Sequence, residues 1–171
     1  NGKALNLSAT VLLGMNYTIY FVVKTLGTQT GTTDYKTFFM FSVDGYTVQT
    51  DGRVGFSYHN PNDPTPIGNS FLYDDRIQRW SIIPYDTETH YFTISNGDDG
   101  GSPKKQIYAD GVQYQDIAGG INSSLGLVHY IGQWNNSIGQ FQIAELIAYN
   151  IKHSTTQQAE TETYLKSKYN L

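Results

Sequence analysis

The sequence contains no cysteine, and only 15% of its 171 residues are charged. Without cysteine the chain has no disulfides, no thiol chemistry and no zinc–thiolate site, and its redox compartment cannot be read from the sequence. Long apolar runs are also missing. The longest, IYFVV, has the length of a strand, far short of the ~18 residues that a membrane-spanning helix needs. Membrane insertion is therefore not expected.

Basic residues are scarce as well. Lys and Arg total 11 against 15 Asp and Glu, and the formal net charge is −4. A nucleic-acid surface requires clustered Lys and Arg. The one adjacent basic pair, Lys104-Lys105, is expected to be the solvated end of a hairpin. The charge balance argues against a nucleic-acid partner.

The sequence motifs of several enzyme classes are absent. The four histidines are scattered, with no His-Glu-x-x-His, and neither a Gly-x-Ser-x-Gly elbow nor a phosphate-binding Gly-x4-Gly-Lys occurs. His90 and His129 fall within predicted strands, where a histidine satisfied by its neighbours is the expected structure. Zinc-dependent peptidase, serine hydrolase and nucleotide-binding chemistry are not indicated.

The chain does contain many short segments rich in β-branched and aromatic residues, bounded by Gly, Asn, Asp or Pro, which predict strands. These predicted strands cover residues 16–24, 36–44, 52–60, 78–86, 90–96, 104–110, 125–132 and 141–149. Three Asp-Gly pairs predict tight hairpin turns, because Asp-Gly tolerates positive φ; they are Asp44-Gly45, Asp51-Gly52 and Asp110-Gly111. The proline-rich stretch 59–70 predicts a long irregular loop.

One helix is predicted, at the C-terminus. Ser154, followed three residues later by Gln157, forms a capping box. The helix that follows is expected to carry its acids early and Lys166 and Lys168 late, as the helix dipole favours. Its docking residues are expected to be Tyr164, Leu165 and Tyr169.

This order of elements predicts an all-β fold, a two-sheet antiparallel sandwich or jelly roll with one C-terminal helix. We expect one domain over residues 1–171. Because the numbering begins in what already looks like a first strand, we also expect the domain to be excised from a longer protein.

The segment QFQIAELIAYN, residues 140–150, places a carboxylate on an apolar strand face. Alternation puts Glu145 on the face that carries Phe141, Ile143, Ile147 and Tyr149. Desolvating a charge is costly unless the charge is paired. Glu145 is therefore a catalytic acid, a ligand for a metal or a sugar, or a structural carboxylate.

The last 31 residues, FQIAELIAYNIKHSTTQQAETETYLKSKYNL, resemble the closing segment of LamG-like jelly-roll domains of the concanavalin A-like lectin/glucanase superfamily. The residues that match in spacing are Ile143, Ala144, Glu145, Tyr149, Asn150, Ser154, Tyr164, Leu165, Lys168 and Tyr169. Upstream, HYFTIS and KKQIYADGV resemble the central hairpin of that family, and NLSATVLLGMNYTIYFVVK resembles its opening strand pair. The chain departs from the pattern at Ile151, His153 and Gln157.

The resemblance implies two curved antiparallel sheets packed face to face, in the concanavalin A-like arrangement. It also implies a non-catalytic module of a secreted, cell-surface or viral protein that binds glycans or proteins. Some members of the superfamily are glycosidases, and several carry a structural calcium ion.

A glycosidase requires two carboxyl groups that flank the scissile bond. The chain has four glutamates, at positions 88, 145, 160 and 162. The last two fall on the predicted helix, and Glu145 has no acidic neighbour on its strand, so the superfamily motif Glu-x-Asp-x-x-Glu is absent. We expect no enzyme, with an atypical glycoside hydrolase as the third-ranked alternative. Glu145 is then interpreted as structural, held by Lys152 or by backbone amides between strand and helix.

Carbohydrate recognition calls for an aromatic ring beside amide or carboxylate groups. Three segments offer this chemistry: residues 132–139, 56–63 and 71–80. The candidate ligand-binding residues are Trp134, Asn135 and Asn136, followed by Tyr58, His59, Asn60, Asp63 and Tyr73. Trp80 is expected to lie in the core.

A calcium ion is the one cofactor that the sequence leaves open. Asp98 and Asp99 supply hard oxygen ligands, but no glutamate follows at EF-hand spacing. An aspartate-rich hairpin tip without a metal is the alternative.

The predicted function is carbohydrate recognition by a lectin-like module of an adhesin or fibre protein, located extracellularly, on a cell surface or on a virion. Its expected partners are a glycan or glycoprotein, and a second copy of the chain through the parent protein. The competing hypothesis is a structural or protein-interaction domain of a larger assembly.

Overall fold

The computed structural model describes residues 5–13, 16–26, 36–41, 54–58, 70–75, 78–84, 86–98, 103–118, 126–131 and 141–171. Within these residues the chain forms eleven strands followed by one helix. The strands are β1 Leu5–Leu13, β2 Tyr17–Thr25, β3 Lys36–Phe41, β4 Val54–Tyr58, β5 Ser70–Asp75, β6 Gln78–Pro84, β7 Thr89–Gly97, β8 Lys104–Ala109, β9 Val112–Ala118, β10 Gly126–Ile131 and β11 Phe141–Tyr149. The helix α1 spans Thr155–Tyr169.

The chain divides into two compact units. The first unit comprises Asn1–Leu12, Thr25–Thr87 and Leu125–Phe141. It contains the two-stranded sheet β1-β10 and the four-stranded sheet β3-β4-β5-β6, whose neighbouring strands are antiparallel. The second unit comprises Leu13–Lys24, Glu88–Ser124 and Gln142–Leu171. It contains the five-stranded sheet β11-β2-β7-β8-β9 together with α1.

Antiparallel pairing joins β2 to β7, β7 to β8 and β8 to β9 in the five-stranded sheet. Phe21 lies opposite Phe92, and their rings stack with centroids 5.0 Å apart. Ile94 lies between Ile19 and Ile107 on the same face. These cross-strand apolar pairs stabilise the register, because a slip by one residue would turn each side chain to the opposite face.

Both faces of the central strands are buried. On β2, Ile19 and Phe21 face one side and Tyr20 and Val22 face the other, and all four are at most 1% exposed. Alternation of polar and apolar residues is therefore weak in β2 and in β7, as expected for strands that are covered on two sides. The second face is covered by α1.

Leu165 anchors α1 to the sheet. It is fully buried in an apolar cluster with Tyr20, Val22 and Tyr91. Three partly buried residues complete the cluster at its margin, namely Ile147, Tyr149 and Tyr169. The predicted docking role of Leu165 and Tyr169 is confirmed, whereas the ring of Tyr164 remains half-exposed and contributes through its hydroxyl group.

The ends of α1 follow the sequence signals. The Ser154 hydroxyl accepts a hydrogen bond from the Gln157 amide, and the Gln157 side chain accepts one from the Ser154 amide, which confirms the capping box. Lys166 and Lys168 lie in the last turn, as expected, and Asn170 ends the helix in the left-handed conformation. The expectation of early acids is wrong in detail, since the first turn contains none.

The predicted turn at Asp110-Gly111 is confirmed. Both residues have positive φ, 50° and 80°, as a tight two-residue hairpin turn requires. Asp110 reinforces the turn: its amide donates to the Tyr91 carbonyl, and its carboxylate accepts from the Tyr91 amide and contacts His90 Nδ1 at 2.7 Å. His90 is thus a satisfied strand histidine. The other two Asp-Gly pairs and most of the proline-rich stretch lie outside the described residues.

One expectation about the hairpin β7–β8 is wrong. Lys104 is partly exposed and pairs with Asp116, with Nζ and Oδ2 3.2 Å apart. Lys105, in contrast, is only 2% exposed. Strand alternation explains the difference, because Lys105 points to the same face as the buried residues Ile107 and Ala109.

Candidate functional site

Most of the predicted ligand-binding residues lie outside the described residues. Six of them, Trp134, Asn135, Asn136, His59, Asn60 and Asp63, lie outside the described residues. The other two occupy defined strands of the first unit, Tyr58 at the end of β4 and Tyr73 within β5.

The strand register relates these two tyrosines to each other. Tyr58 pairs with Phe71, and Tyr73 pairs with Phe56 on one side and with Trp80 on the other. Tyr58 is thus two residues after Phe56, the residue of β4 that pairs with Tyr73.

In the second unit, a hydrogen-bonded cluster of polar side chains lies where the C-terminal end of α1 meets β11. Glu145 Oε1 accepts hydrogen bonds from the Tyr164 hydroxyl at 3.0 Å and from Lys168 Nζ at 3.1 Å, and Oε2 accepts from Lys168 at 3.2 Å. Lys168 Nζ also donates to the Tyr164 hydroxyl at 2.7 Å. The Tyr169 hydroxyl donates to the Ala144 carbonyl at 3.1 Å, which fixes the second tyrosine beside the lysine.

This cluster identifies Glu145 as a structural carboxylate that joins strand and helix. Partial burial acts to raise the pKa of Glu145, but hydrogen bonds from Lys168 and Tyr164 outweigh it and hold the pKa below its usual range. The pKa of Lys168 is raised in turn by Tyr164 and Glu145. The expected partners were wrong: Lys152 Nζ instead donates to the Gly97 carbonyl at 3.2 Å.

We expect Glu145→Gln to lower the melting temperature by about 1–3 °C at pH 7, because a partly exposed ion pair contributes little to stability. A carboxyl group with a depressed folded-state pKa contributes stability above its ordinary pKa of 4.5, and this contribution is lost as the pH falls through the folded-state value. Melting curves of both proteins from pH 7 to pH 3 should therefore converge in acid. A difference that is constant with pH would contradict the ionic role.

The connection between β11 and α1 is held by a second set of contacts. The Thr18 hydroxyl donates to the Ile151 carbonyl at 3.0 Å and accepts from the His153 amide at 2.8 Å. The Tyr20 hydroxyl lies 2.8 Å from His153 Nδ1. Burial lowers the pKa of His153 and raises the pKa of Tyr20, so both groups are neutral at pH 7. These contacts are structural.

Glu162 has a role that the sequence did not reveal beyond its position on the predicted helix. It is only 9% exposed, and its Oε1 accepts hydrogen bonds from the Thr93 hydroxyl at 3.0 Å and from Gln158 Nε2 at 2.8 Å. One turn later, Lys166 Nζ lies over the Tyr91 ring, 5.4 Å from its centroid. Glu162 therefore belongs to the docking surface between helix and sheet. The spacing Glu162–Leu165–Tyr169 at three and four residues is the signal that could have revealed this face.

The metal prediction at Asp98 and Asp99 stays a prediction. Asp98 lies exposed just after β7, where its amide donates to Asn16 Oδ1 at 3.2 Å, and Asp99 lies outside the described residues. Within the described part of the chain, no group of three His, Asp or Glu side chains is arranged to hold a metal ion. No helix in that part is both long and apolar enough to cross a bilayer.

The outer surface of α1 borders an open depression of about 580 Å³. Among the described residues, it is lined by Thr155, Thr156, Ala159, Glu160 and Thr163. These residues offer hydroxyl and methyl groups but no aromatic ring, so they lack the stacking surface that a sugar site requires.

Comparison with known proteins finds similarity at the level of structure. No protein-family model matches the sequence, and a search of curated proteins finds no match. The sialidase of Trypanosoma rangeli in complex with sialic acid matches with a TM-score of 0.59 and 9% identity, over 88% of this chain and 23% of that chain. The receptor-binding domain of botulinum neurotoxin D matches with a TM-score of 0.59 and 13% identity, over 95% of this chain and 41% of that chain.

The CBM40 domain of the Ruminococcus gnavus IT-sialidase, bound to α2,3 sialyllactose, matches over nearly the full length of both chains. The TM-score is 0.52 and the identity 10%, over 94% of this chain and 96% of that chain. At such identities the likeness shows the fold and nothing further. The chain has the expected all-β jelly-roll sandwich fold, mostly antiparallel, with one C-terminal helix.

Proposed function

We propose that this chain is a non-catalytic, carbohydrate-binding module of the LamG-like type. The observation that carries the proposal is the match to the CBM40 domain across almost the whole of both chains. The first two structures are covered over 23% and 41% of their length, so the chain corresponds to a part of each of those proteins. We propose that it likewise serves as one domain of a larger protein that acts outside a cell, on a cell surface or on a virion.

The proposed binding site contains Trp134 with Asn135 and Asn136, assisted by the segment around Tyr58 and His59. An indole ring stacks on the apolar face of a sugar, and the amide groups satisfy its hydroxyls. Because two of the matched structures contain sialic acid or sialyllactose, sialylated oligosaccharides are the first ligands to test.

The electrostatics of Glu145 support a non-catalytic function. The general acid of a glycosidase needs a raised pKa so that it is protonated at working pH. The pKa of Glu145 is lowered instead, by its hydrogen bonds to Lys168 and Tyr164. Glu162 is buried against Thr93 and Gln158, where no substrate can reach it. Neither glutamate suits the role of general acid.

A glycan array with sialylated and non-sialylated oligosaccharides tests the proposal. We expect the wild-type protein to bind a defined subset, and Trp134→Ala to lose that binding with a nearly unchanged melting temperature. Tyr114→Ala is the matched control, since Tyr114 is an aromatic residue of β9 that is already 36% exposed. It should leave both properties intact.

Other results would point to the alternatives. A large loss of stability in Trp134→Ala would mark the residue as part of the core. Absence of glycan binding together with concentration-dependent self-association would favour the structural or protein-interaction hypothesis. Release of reducing sugar from polysaccharides would instead indicate an atypical glycoside hydrolase.

A further inference from the structure

Asn16 begins an Asn-Tyr-Thr sequence that runs into β2. Four such Asn-x-Ser/Thr sequences occur in the chain, at Asn6, Asn16, Asn122 and Asn135. This pattern is the acceptor signal for N-linked glycosylation in secreted proteins, in which the sugar is attached to the amide nitrogen of the asparagine. Asn16 is the only one of the four whose side chain the structure describes. Because a three-residue pattern also arises by chance, the use of Asn16 has to be judged from its geometry.

The carboxamide group of Asn16 is fixed by its oxygen. Oδ1 accepts a hydrogen bond from the Asp98 amide at 3.2 Å, and only the oxygen of a carboxamide can accept from an N–H, so the orientation of the group is determined. Gly97 permits this contact, because a Cβ at that position would overlap Oδ1. Within the described residues, Nδ2 donates no hydrogen bond. The nitrogen that would carry the sugar is therefore uncommitted, and the oxygen that a glycosylated asparagine retains is the one already in use.

The location of Asn16 also suits a bulky, hydrated group. Asn16 is exposed and directly precedes β2, at the end of the five-stranded sheet where β7 ends. An N-linked oligosaccharide needs such a surface position. A sugar on Nδ2 would extend from this end of the sheet into solvent without breaking a hydrogen bond among the described residues.

Thr18, the third residue of the signal, is fully buried in the folded unit. Its hydroxyl donates to the Ile151 carbonyl at 3.0 Å and accepts from the His153 amide at 2.8 Å. These partners follow Thr18 by 133 and 135 residues in the chain. During synthesis the signal is therefore accessible for a time on the order of ten seconds before its partners exist. Sugar transfer requires the threonine hydroxyl, so it has to take place in that interval.

We propose that Asn16 is an N-glycosylation site, modified before the connection between β11 and α1 packs on Thr18. In the transfer, Nδ2 forms a bond to the anomeric carbon of an oligosaccharide carried on a lipid pyrophosphate. The bond from that carbon to the pyrophosphate oxygen breaks, the lipid pyrophosphate leaves with the bonding electrons, and Nδ2 loses one proton to solvent. The proposal rests on the location outside a cell proposed above, and it implies that this end of the sheet faces solvent in the parent protein.

Expression behind a secretory signal in cultured mammalian cells tests the site. Peptide N-glycosidase, applied to the secreted protein in isotope-labelled water, converts each glycosylated asparagine to a labelled aspartate, which tandem mass spectrometry locates. Asn6 lies on the same tryptic fragment, residues 4–24, so Asn6→Gln is the matched control. We expect label at Asn16 in most molecules, retained in Asn6→Gln, and one sugar chain fewer in Asn16→Gln. An unmodified Asn16 overturns the proposal, whether or not the other three asparagines carry sugar.

A second measurement tests the order of events. Protein made in bacteria, folded and free of sugar, is incubated with an oligosaccharyltransferase and its lipid-linked donor, beside a synthetic peptide of residues 13–21. We expect the peptide to be modified and the folded protein to stay unmodified at Asn16, because Thr18 is buried. Modification of the folded protein, or a peptide that is not a substrate, overturns the proposal. The same bacterial protein serves for the glycan array, so carbohydrate binding and the modification of Asn16 are measured independently of each other.

Discussion

Replacing Leu165 with alanine is expected to lower the free energy of unfolding by about 2–5 kcal/mol. Leu165 is fully buried among Tyr20, Val22 and Tyr91, so the substitution removes apolar contacts and leaves a cavity under α1. The aromatic rings around it have little room to collapse, which favours the upper part of this range. Urea denaturation followed by circular dichroism gives the measurement.

The matched control is Leu171→Ala. Leu171 is the last residue and is 40% exposed, so the same chemical change should cost less than about 0.5 kcal/mol. A cost below 1 kcal/mol for Leu165→Ala would contradict the docking of α1 on the five-stranded sheet. A change in the denaturant slope, with little change in midpoint, would show that the helix had melted separately from the sheet.

Loss of Leu165 should also affect the hydrogen bonds of Glu145. Tyr164 and Lys168 are on α1, and Glu145 is on β11. The docking of helix on sheet sets the distances between these side chains. The stability effect and the contacts of Glu145 are therefore coupled.

The elements that could be predicted from sequence are those governed by local signals. The capping box of Ser154 and Gln157 and the turn at Asp110-Gly111 involve residues at most three apart, and both are present. Strand β11 also coincides with its predicted span of 141–149. Here the periodicity of apolar residues was strong and the flanking signals were clear.

Two strands, β5 and β9, were missed for a physical reason. Strand β9 forms an edge of its sheet, and its apolar residues Val112 and Tyr114 are 57% and 36% exposed. An edge strand with glutamines between its apolar positions carries little hydrophobic periodicity. Strand β5 ends on Asp74 and Asp75, which indicate a turn when they are considered in isolation.

The partners of Glu145 could not be predicted because they are distant in sequence. Lys168 and Tyr164 are 23 and 19 residues away, and they meet Glu145 only after α1 docks. Lys152, only seven residues away in sequence, was the expected partner, but its ammonium group donates to the Gly97 carbonyl instead. The periodicity at Glu145 correctly indicated a carboxylate in need of a partner, but only tertiary packing selects which one.

The burial of Lys105 has a local origin, the alternation of side chains along β8. In sequence Lys105 adjoins Lys104 near a glycine-rich hairpin tip, so both lysines were expected to be solvated. Strand alternation sends them to opposite faces, and Lys105 falls in line with Ile107 and Ala109. The prediction failed because it assigned both lysines to the solvated end of the hairpin, although the predicted strand 104–110 and β8 both begin at Lys104.

Removing the hydroxyl of Thr93 is expected to lower the free energy of unfolding by about 1.5–3 kcal/mol, the range for a hydrogen bond to a charged group. Thr93 is fully buried on β7, and it donates to Glu162 Oε1 at 3.0 Å. Thr93→Val preserves the shape of the side chain but leaves the buried carboxylate with one donor fewer. Chemical denaturation at pH 7 measures the loss. The control is Thr163→Val, because Thr163 is exposed on α1 and donates to the Ala159 carbonyl.

A double-mutant cycle decides whether the cost arises from the pairing itself. If the hydroxyl acts through Glu162, Thr93→Val should cost much less in the background of Glu162→Gln, whose amide is neutral and less costly to bury. Thr163→Val should stay within about 0.5 kcal/mol in either background. Equal costs for Thr93→Val in both backgrounds would show that Thr93 acts by packing alone. In that case the attachment of α1 would depend on apolar contacts around Leu165, and the burial of Glu162 would lower the free energy of unfolding.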